Sequence, residues 1–340
     1  MKTSSKIIIS TIISIIILIS AVAIGSVYIK PLDIFKIIYS NTFNKPLEID
    51  IESNLVSIIW NMRLPRVLLA FVVGGALAVS GTVMQSVLKN PLASSYTLGV
   101  SSGASVGAGL VIITGFTIHL LGKFTLPFVG LLFGLVTVYI AISFSARIDK
   151  NMENNTIILV GMIFSLFINA IITLITALSR ENLQRLVFWQ MGSFSLKEWS
   201  DVMILFPIVL ICVISLMRYS KELDIMTFGE EQALAIGIEV KKAKWILLGL
   251  SAALTGSAIA FVGVIGFIDL IAPHIVRKIF GSSHRLVVPI SMLFGGTFMV
   301  ICDLIARIII PNSELPVGAI TAIIGAPFFA YVYFNKRKVK

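Results

Sequence analysis

Apolar runs of bilayer-spanning length follow one another along almost the whole of this chain. A crossing helix needs about 20 predominantly apolar residues. Runs of that kind fall at about 7–29, 64–88, 98–114, 125–146, 156–178, 202–217, 244–262, 263–280, 286–310 and 317–334. The stretch 244–280 is too long for one crossing and carries Gly263 and Gly266 near its middle, so it divides there. The runs 98–114 and 202–217 are short, as expected of spans partly buried in protein. Composition agrees: 57% of the 340 residues are apolar and 13% charged, against roughly 45–50% and about 25% in soluble domains. The expected fold class is all-α, a polytopic integral membrane protein of about ten transmembrane helices. A single transmembrane domain then fills 1–340 and leaves no room for a separate soluble catalytic domain of ordinary size.

The net charge of +10 would suggest nucleic acid in a soluble protein. In a membrane protein basic residues anchor the cytoplasmic loops, so no nucleic-acid partner is expected. Ten spans starting inside put both termini in the cytoplasm. The tail Lys336-Arg337-Lys338 with Lys340, and the loop holding Arg218, Lys221, Lys241, Lys242 and Lys244, anchor that topology in the cytoplasmic membrane. The run 7–29 continues past Ala21-Val22-Ala23, which resembles a signal-peptidase site, and exceeds an ordinary signal segment. It reads as a retained first span. Cys212 and Cys302 sit inside apolar runs and imply no disulfide.

Two outer segments, 30–62 and 179–201, are long enough to fold on the surface, the second with Arg180, Trp189 and Trp199 in an interfacial pattern. One inner segment, 218–243, is longer than a turn. Within it Phe228 to Gly237 reads as a short helix ending on glycine. The halves look alike: Gly75-Ala76-Leu77-Ala78-Val79-Ser80-Gly81 in the second run answers Ala252-Ala253-Leu254-Thr255-Gly256 in the seventh. One runs inward and the other outward, the mark of inverted repeats.

Chemistry is sparse. Gly99, Gly103 and Gly107 recur at the spacing that lets helix backbones touch, an ordinary packing device. Ser101, Ser102 and Ser105 lie between them and could line a pathway. Lys89-Asn90-Pro91-Leu92-Ala93 breaks the apolar pattern, because Pro91 stops a helix and biases Asn90 away from it. Such a break suits either a gate or a plain turn. Asp269, His274 and Asp303 fall within spans, where ionisable groups mark function or a paired partner. Asp303 stands four residues before Arg307, the spacing of a helical ion pair. No phosphate-binding G-x-x-x-x-G-K-[ST] occurs, and His119, His274 and His284 lack metal-ligand spacing. No catalytic residue, metal site or cofactor is expected.

Several motifs in order now point to a family. Arg63-Leu64-Pro65-Arg66, Ser80-Gly81 with Gln85, Asn90-Pro91-Leu92-Ala93 and Leu98-Gly99-Val100-Ser101-Ser102-Gly103-Ala104 closely resemble the permease subunits of ABC importers for ferric siderophores, haem and cobalamin. The second half agrees through Gly266-Phe267, Ala272-Pro273-His274 with Arg277, His284-Arg285, Asp303 with Ala306-Arg307, Glu314-Leu315-Pro316, and Thr321-Ala322 through Gly325 and Pro327. The resemblance implies ten spans per subunit, a second permease subunit, identical or not, two cytoplasmic ATPases and an external substrate-binding protein. It implies ATPase coupling through 228–240, with Phe228, Gly229, Glu230 and Ala233 in that segment and Gly237 at the family's loop glycine. It implies docking of the binding protein on outward Arg63, Arg66 and Arg307, and a cytoplasmic gate at Asn90, Pro91 and Leu92 with the loop near Arg147. Ser95, Asp269 and Ile236 depart from the family pattern, where proline, glycine and leucine are usual.

The function expected on this basis is ATP-driven import of a metal chelate, a ferric siderophore before haem or cobalamin, by alternating access, with ATP hydrolysed by a separate chain. The competing reading is an ion-coupled secondary carrier using Asp269 and Asp303. Such a carrier has no need of a docking helix in 218–243.

Overall fold

The computed structural model describes residues 3–25, 27, 29–43, 45, 52–178, 182–310 and 313–337. Arg180 and the tail residues Lys338 and Lys340 lie outside them. The helices are α1 (Thr3–Ala23), α2 (Pro31–Phe43), α3 (Ser53–Ser57), α4 (Leu64–Val87) and α5 (Val100–Thr114), then α6 (Thr125–Ile148), α7 (Asn154–Leu178) and α8 (Leu183–Gln190). They continue as α9 (Trp199–Arg218), α10 (Ser220–Phe228), α11 (Glu230–Ala235), α12 (Val240–Val262), α13 (Ile268–Phe280), α14 (His284–Ile308) and α15 (Val317–Arg337). Among the described residues, seven helical stretches are long and apolar enough to cross a bilayer by themselves. The shorter α5 and α13, with α15, complete the ten anticipated from the apolar runs.

The short spans have a common cause. An α5 of 15 residues and an α13 of 13 reach only about 20 Å at 1.5 Å per residue, against a hydrocarbon core of about 30 Å. Both begin partway through the bundle. After α4 the chain turns at Lys89, whose φ is +50°, and folds back until Ser95 meets Ser80 at 2.7 Å, two turns up α4. After α12 the chain runs non-helically through 263–267 before α13 begins at the depth of Gly81. Non-helical backbone at this depth is tolerated because protein surrounds it.

The inverted repeat suggested by the two matched stretches is present in three dimensions. α4 lies along α14, and α12 along α6; these pairs exchange when the halves are exchanged. Gly81 sits against the Asp269 backbone at the start of α13, and Gly256 against Val100 at the start of α5. The matched hydroxyls touch one another, Thr255 Oγ1 donating to Ser80 Oγ at 2.7 Å. Ser80 also donates to the Ser251 carbonyl at 2.9 Å. The most buried spans, α4 and α12, thus cross at a small knot in which the hydroxyls of Ser80, Ser95 and Thr255 are bonded, while that of Ser251 is buried without a partner.

One local detail departs from the sequence reading. Leu64-Pro65 is not a helix start. Helix runs unbroken from Ser53, with a π turn over Ile58–Arg63 in which the Leu64 N–H reaches back to Ile59 C=O. Pro65 has no N–H and its ring crowds the carbonyl a turn earlier; a widened turn absorbs both defects without ending the helix. As expected of a first span, α1 is tied into the fold. Ser14 Oγ meets Thr297 Oγ1 of α14 at 2.6 Å, and Lys6 Nζ donates to the Ile279 carbonyl at 2.8 Å.

Candidate functional site

Polar and surface features gather at three places along the bundle: a projecting helical segment at one end, the re-entrant turn near it, and an ion cluster at the opposite end.

The projecting segment is α10–α11. Glu222 stands in the first turn of α10, and Glu230 and Glu231 in that of α11, where the helix dipole favours a carboxylate. α11 closes on Gly237, whose φ of +89° is the left-handed conformation that glycine adopts without strain. Its N–H bonds to Leu234 C=O at 2.9 Å and that of Ile238 to Ala233 C=O at 3.0 Å, a Schellman closure. Ala233 faces inward and is fully buried, while Phe228, Leu234 and Ile236 are 84%, 59% and 68% exposed. Three large apolar side chains are thus exposed on a charged segment.

Glu230 holds this segment to the bundle. Its carboxylate pairs with Lys244 at 2.8 Å. Lys244 is completely buried and also donates to the Met152 carbonyl, at 2.6 Å, in the turn between α6 and α7. In the sequence Lys244 passes for one more loop cation. Its burial follows from α11 folding back over the first turn of α12, which no local pattern announces. Lys244→Met keeps the stem and leaves Glu230 unpaired. It is expected to lower the melting temperature of the purified protein by the loss of about 1–3 kcal/mol from the unmatched group. Lys244→Arg is expected to lose less.

At the re-entrant turn, Asn90 Oδ1 accepts the Leu92 N–H at 2.9 Å. Pro91 and Leu92 form the exposed tip, while Ala93, Ser94 and Ser95 are buried. The turn is therefore both a break and a wedge, its tip outside the bundle and its return limb inside. The hydroxyls of α5 do not form a polar wall within the chain. Ser102 is buried against Ser165 of α7 at 3.1 Å and Ser105 is buried; Ser101 alone of the three is partly exposed. Gly103 and Gly107 face the α6 backbone at Phe133 and Val129, so the spacing serves helix packing. Asp269 is buried in the first turn of α13 and accepts the Ser94 hydroxyl, which pins the return limb to α13. His274 is only partly buried, one and a half turns further on.

At the opposite end Arg63, Arg66 and Arg307, expected to face outward, are instead largely buried. Arg66 Nη2 and Nε lie 2.8 and 3.0 Å from Asp303 Oδ1, and Nη1 lies 2.7 Å from Glu314 Oε1. Arg307 approaches the other Asp303 oxygen at 3.2 Å, the helical pair anticipated from spacing. Arg63 donates to the carbonyls of Val22, Ala23 and Val27 at 3.0, 3.1 and 2.7 Å, and Arg307 to Ala21 at 3.0 Å. The last carbonyls of α1 have no helical partner, and two guanidinium groups satisfy them. All three arginines are thus turned inward, and Asp303 is neutralised between two of them. Glu314, 42% exposed at its side chain, is the open member. Against the upward push of burial, Arg66 and the Ser195 hydroxyl hold its carboxyl below the usual range.

Among the described residues, seven apolar helices of spanning length, with the shorter α5, α13 and α15 packed among them, define a polytopic membrane protein. Residues 12–335 match the model of the FecCD transport family, and the chain belongs to that family. It is 40% identical over 94% of its length, and 91% of the relative's, to YvrB, an ABC transporter permease of Bacillus subtilis. It is 36% identical to a cobalamin import permease of Halobacterium salinarum, over 84% of this chain and 76% of that one. A solved structure of a metal-chelate type ABC transporter in an inward-facing conformation superposes with a TM-score of 0.85 at 30% identity, covering 98% of this chain and 99% of the other. Further relatives are named for molybdate in Haemophilus influenzae, hemin in Yersinia pestis and Fe(3+) dicitrate in Escherichia coli. The chain is a permease of an ABC importer, and the secondary-carrier alternative is not favoured.

Proposed function

We propose that this chain carries a bulky metal chelate, a ferric siderophore, across the cytoplasmic membrane as one of two permease subunits. Two separate ATPase chains drive it, and an external binding protein supplies the cargo. The exposed apolar triad Phe228, Leu234 and Ile236 carries this reading: a secondary carrier has nothing to seat there, whereas an ATPase groove would cover it. In this reading the α10–α11 end faces the cytoplasm. ATP-driven closure of the ATPases moves α11 and shifts the balance between outward and inward forms of the bundle. Leu92 and Pro91 act at the inner mouth. The binding protein docks over the outer cluster, where Glu314 is the accessible group and Arg63, Arg66 and Arg307 set the charge beneath it. Siderophore is put first because two relatives are named for Fe(3+)-citrate import, beside others named for hemin, cobalamin and molybdate.

The test is co-purification of an ATPase and a binding protein with the chain, followed by uptake of radiolabelled iron siderophore into reconstituted vesicles. Uptake of cobalamin or hemin instead would move the cargo within the class. Uptake driven by an ion gradient with no ATPase present would overturn the proposal. Asp269→Asn separates the two drives. Asparagine still accepts from Ser94, and in an ATP-driven importer the substituted protein is expected to keep at least partial uptake. A coupling-ion carboxylate would lose it all.

A further inference from the structure

A continuous chain of hydrogen bonds leaves α10 and ends at the re-entrant turn, crossing three other helices on the way. It begins at Asp224, on the helix that leads directly into α11. Asp224 Oδ1 accepts the backbone N–H of His284 at 2.9 Å and meets the ring Nδ1 at 2.5 Å. One carboxylate from α10 thereby both caps α14 and fixes its first side chain. The His284 ring is buried, and its other nitrogen lies 2.6 Å from Ser86 Oγ near the end of α4. Arg277 of α13 donates to the same hydroxyl at 3.1 Å, to the Thr82 carbonyl at 2.9 Å and to Gln85 Oε1 at 2.6 Å. Gln85 Nε2 in turn donates to the Asp269 carbonyl at 3.1 Å, and the Asp269 carboxylate holds Ser94.

The path thus runs from α10 through α14, α4 and α13 to the limb behind Leu92. Apolar contacts already pack α4, α13 and α14 against one another. A buried ionic chain is not the cheapest way to join them, because desolvated charges often stabilise no more than well-packed apolar groups. What such a chain supplies is directional linkage: each polar partner must follow the next or be left unsatisfied at about 1–3 kcal/mol.

We propose that Asp224, His284 and Arg277 are positioning residues that transmit movement of the α10–α11 segment to the re-entrant turn. This rests on the importer reading above and adds the route by which the ATPase signal reaches the gate. Displacing α10 pulls Asp224 on the first turn of α14. His284 and Arg277 then carry the displacement to Ser86 and Gln85 at the end of α4, and so to the Ser94–Asp269 contact.

The experiment uses the permease assembled with its ATPase in vesicles, with ATP and vanadate as the probe. A fluorophore is placed on Leu92→Cys, 44% exposed at the tip, while Cys212 and Cys302 are buried. The otherwise unsubstituted complex is expected to change fluorescence on nucleotide trapping. In Asp224→Asn and His284→Ala the ATPase is expected to remain bound and the response to fall about tenfold, within the range of ordinary coupling energies. Asp224→Glu is expected to retain most of it. Should His284→Ala fail to insert, Ser86→Ala removes the middle hydroxyl alone and is expected to show the same loss. A full response in these variants, even with a lowered melting temperature, would make the chain a static staple and overturn the proposal. A complex that never recruits an ATPase would instead bring down the importer reading and this inference with it.

Discussion

A chain carrying Gly237→Arg is expected to reach the membrane in ordinary amounts and to import nothing. The left-handed conformation costs a non-glycine residue about 1–2 kcal/mol, too little to unfold a bundle of this size. A Cβ at Gly237 has open space around it, with no heavy atom within 4 Å, so the first atom of a side chain clashes with nothing inside the protein. It lies outward, beside Leu234 and Ile236, where a long cation intrudes on the apolar face and the strained closure of α11 shifts both side chains. The measurement is paired: ATPase co-purification and vesicle uptake for Gly237→Arg beside Gly237→Ala. Alanine shares the backbone strain without the bulk, and is expected to retain a large part of uptake. Normal ATP-dependent uptake by the arginine variant would remove α11 from the coupling role.

Apolar run length placed the spans because the bilayer itself imposes that length. α6, α7, α12 and α14 begin and end within a few residues of the runs that announce them, and α4 ends with its run although its helix continues back to Ser53. The break at Gly263–Gly266 and the turn at Asn90-Pro91 were equally legible, since glycine and proline act locally. The paired stretches around Ser80 and Thr255 suggested two related halves, though nothing in either stretch says that these two hydroxyls meet. The π turn before Pro65 was not legible: the same Leu-Pro pair that accompanies it also starts ordinary helices.

Charged side chains were the hardest to place. Arg66 and Asp303 are 237 positions apart, and Asp224 and His284 60 apart; no window of sequence contains either pair. Only the spacing of Asp303 and Arg307 carried the hint, and there the ion pair is found. Arginine near the outer end of a span reads naturally as a surface cation. Its inward turn depends on carboxylates and on orphan α1 carbonyls delivered by distant parts of the chain. Lys244 and Glu230 show the same effect at the other end.

That inward turn sets the second large effect. Arg66 is the link between α4, Asp303 of α14 and Glu314 in the connection to α15, with its side chain 10% exposed. Arg66→Glu would place three carboxylates around one site and leave Arg307 as their near cation. Removing one partner of a buried pair typically costs about 3–5 kcal/mol, and like charge adds to it. Since stabilities of about 5–15 kcal/mol are ordinary, this variant is expected to yield little folded protein in detergent. Arg66→Met, which fills similar volume without a new charge, is expected to be recovered in greater amount, and Arg66→Glu with Asp303→Arg in greater amount than Arg66→Glu alone. The melting temperature of each purified variant measures the ordering. Docking of the binding protein is then measured on Arg66→Lys, which keeps the charge, at low and high salt, because rim charges act mainly on association and are screened. If Arg66→Glu folds as stably as the unsubstituted chain, the cluster does not hold the outer ends of α4 and α14 together. If it folds and binding-protein docking alone is lost, the arginine serves the partner rather than the fold.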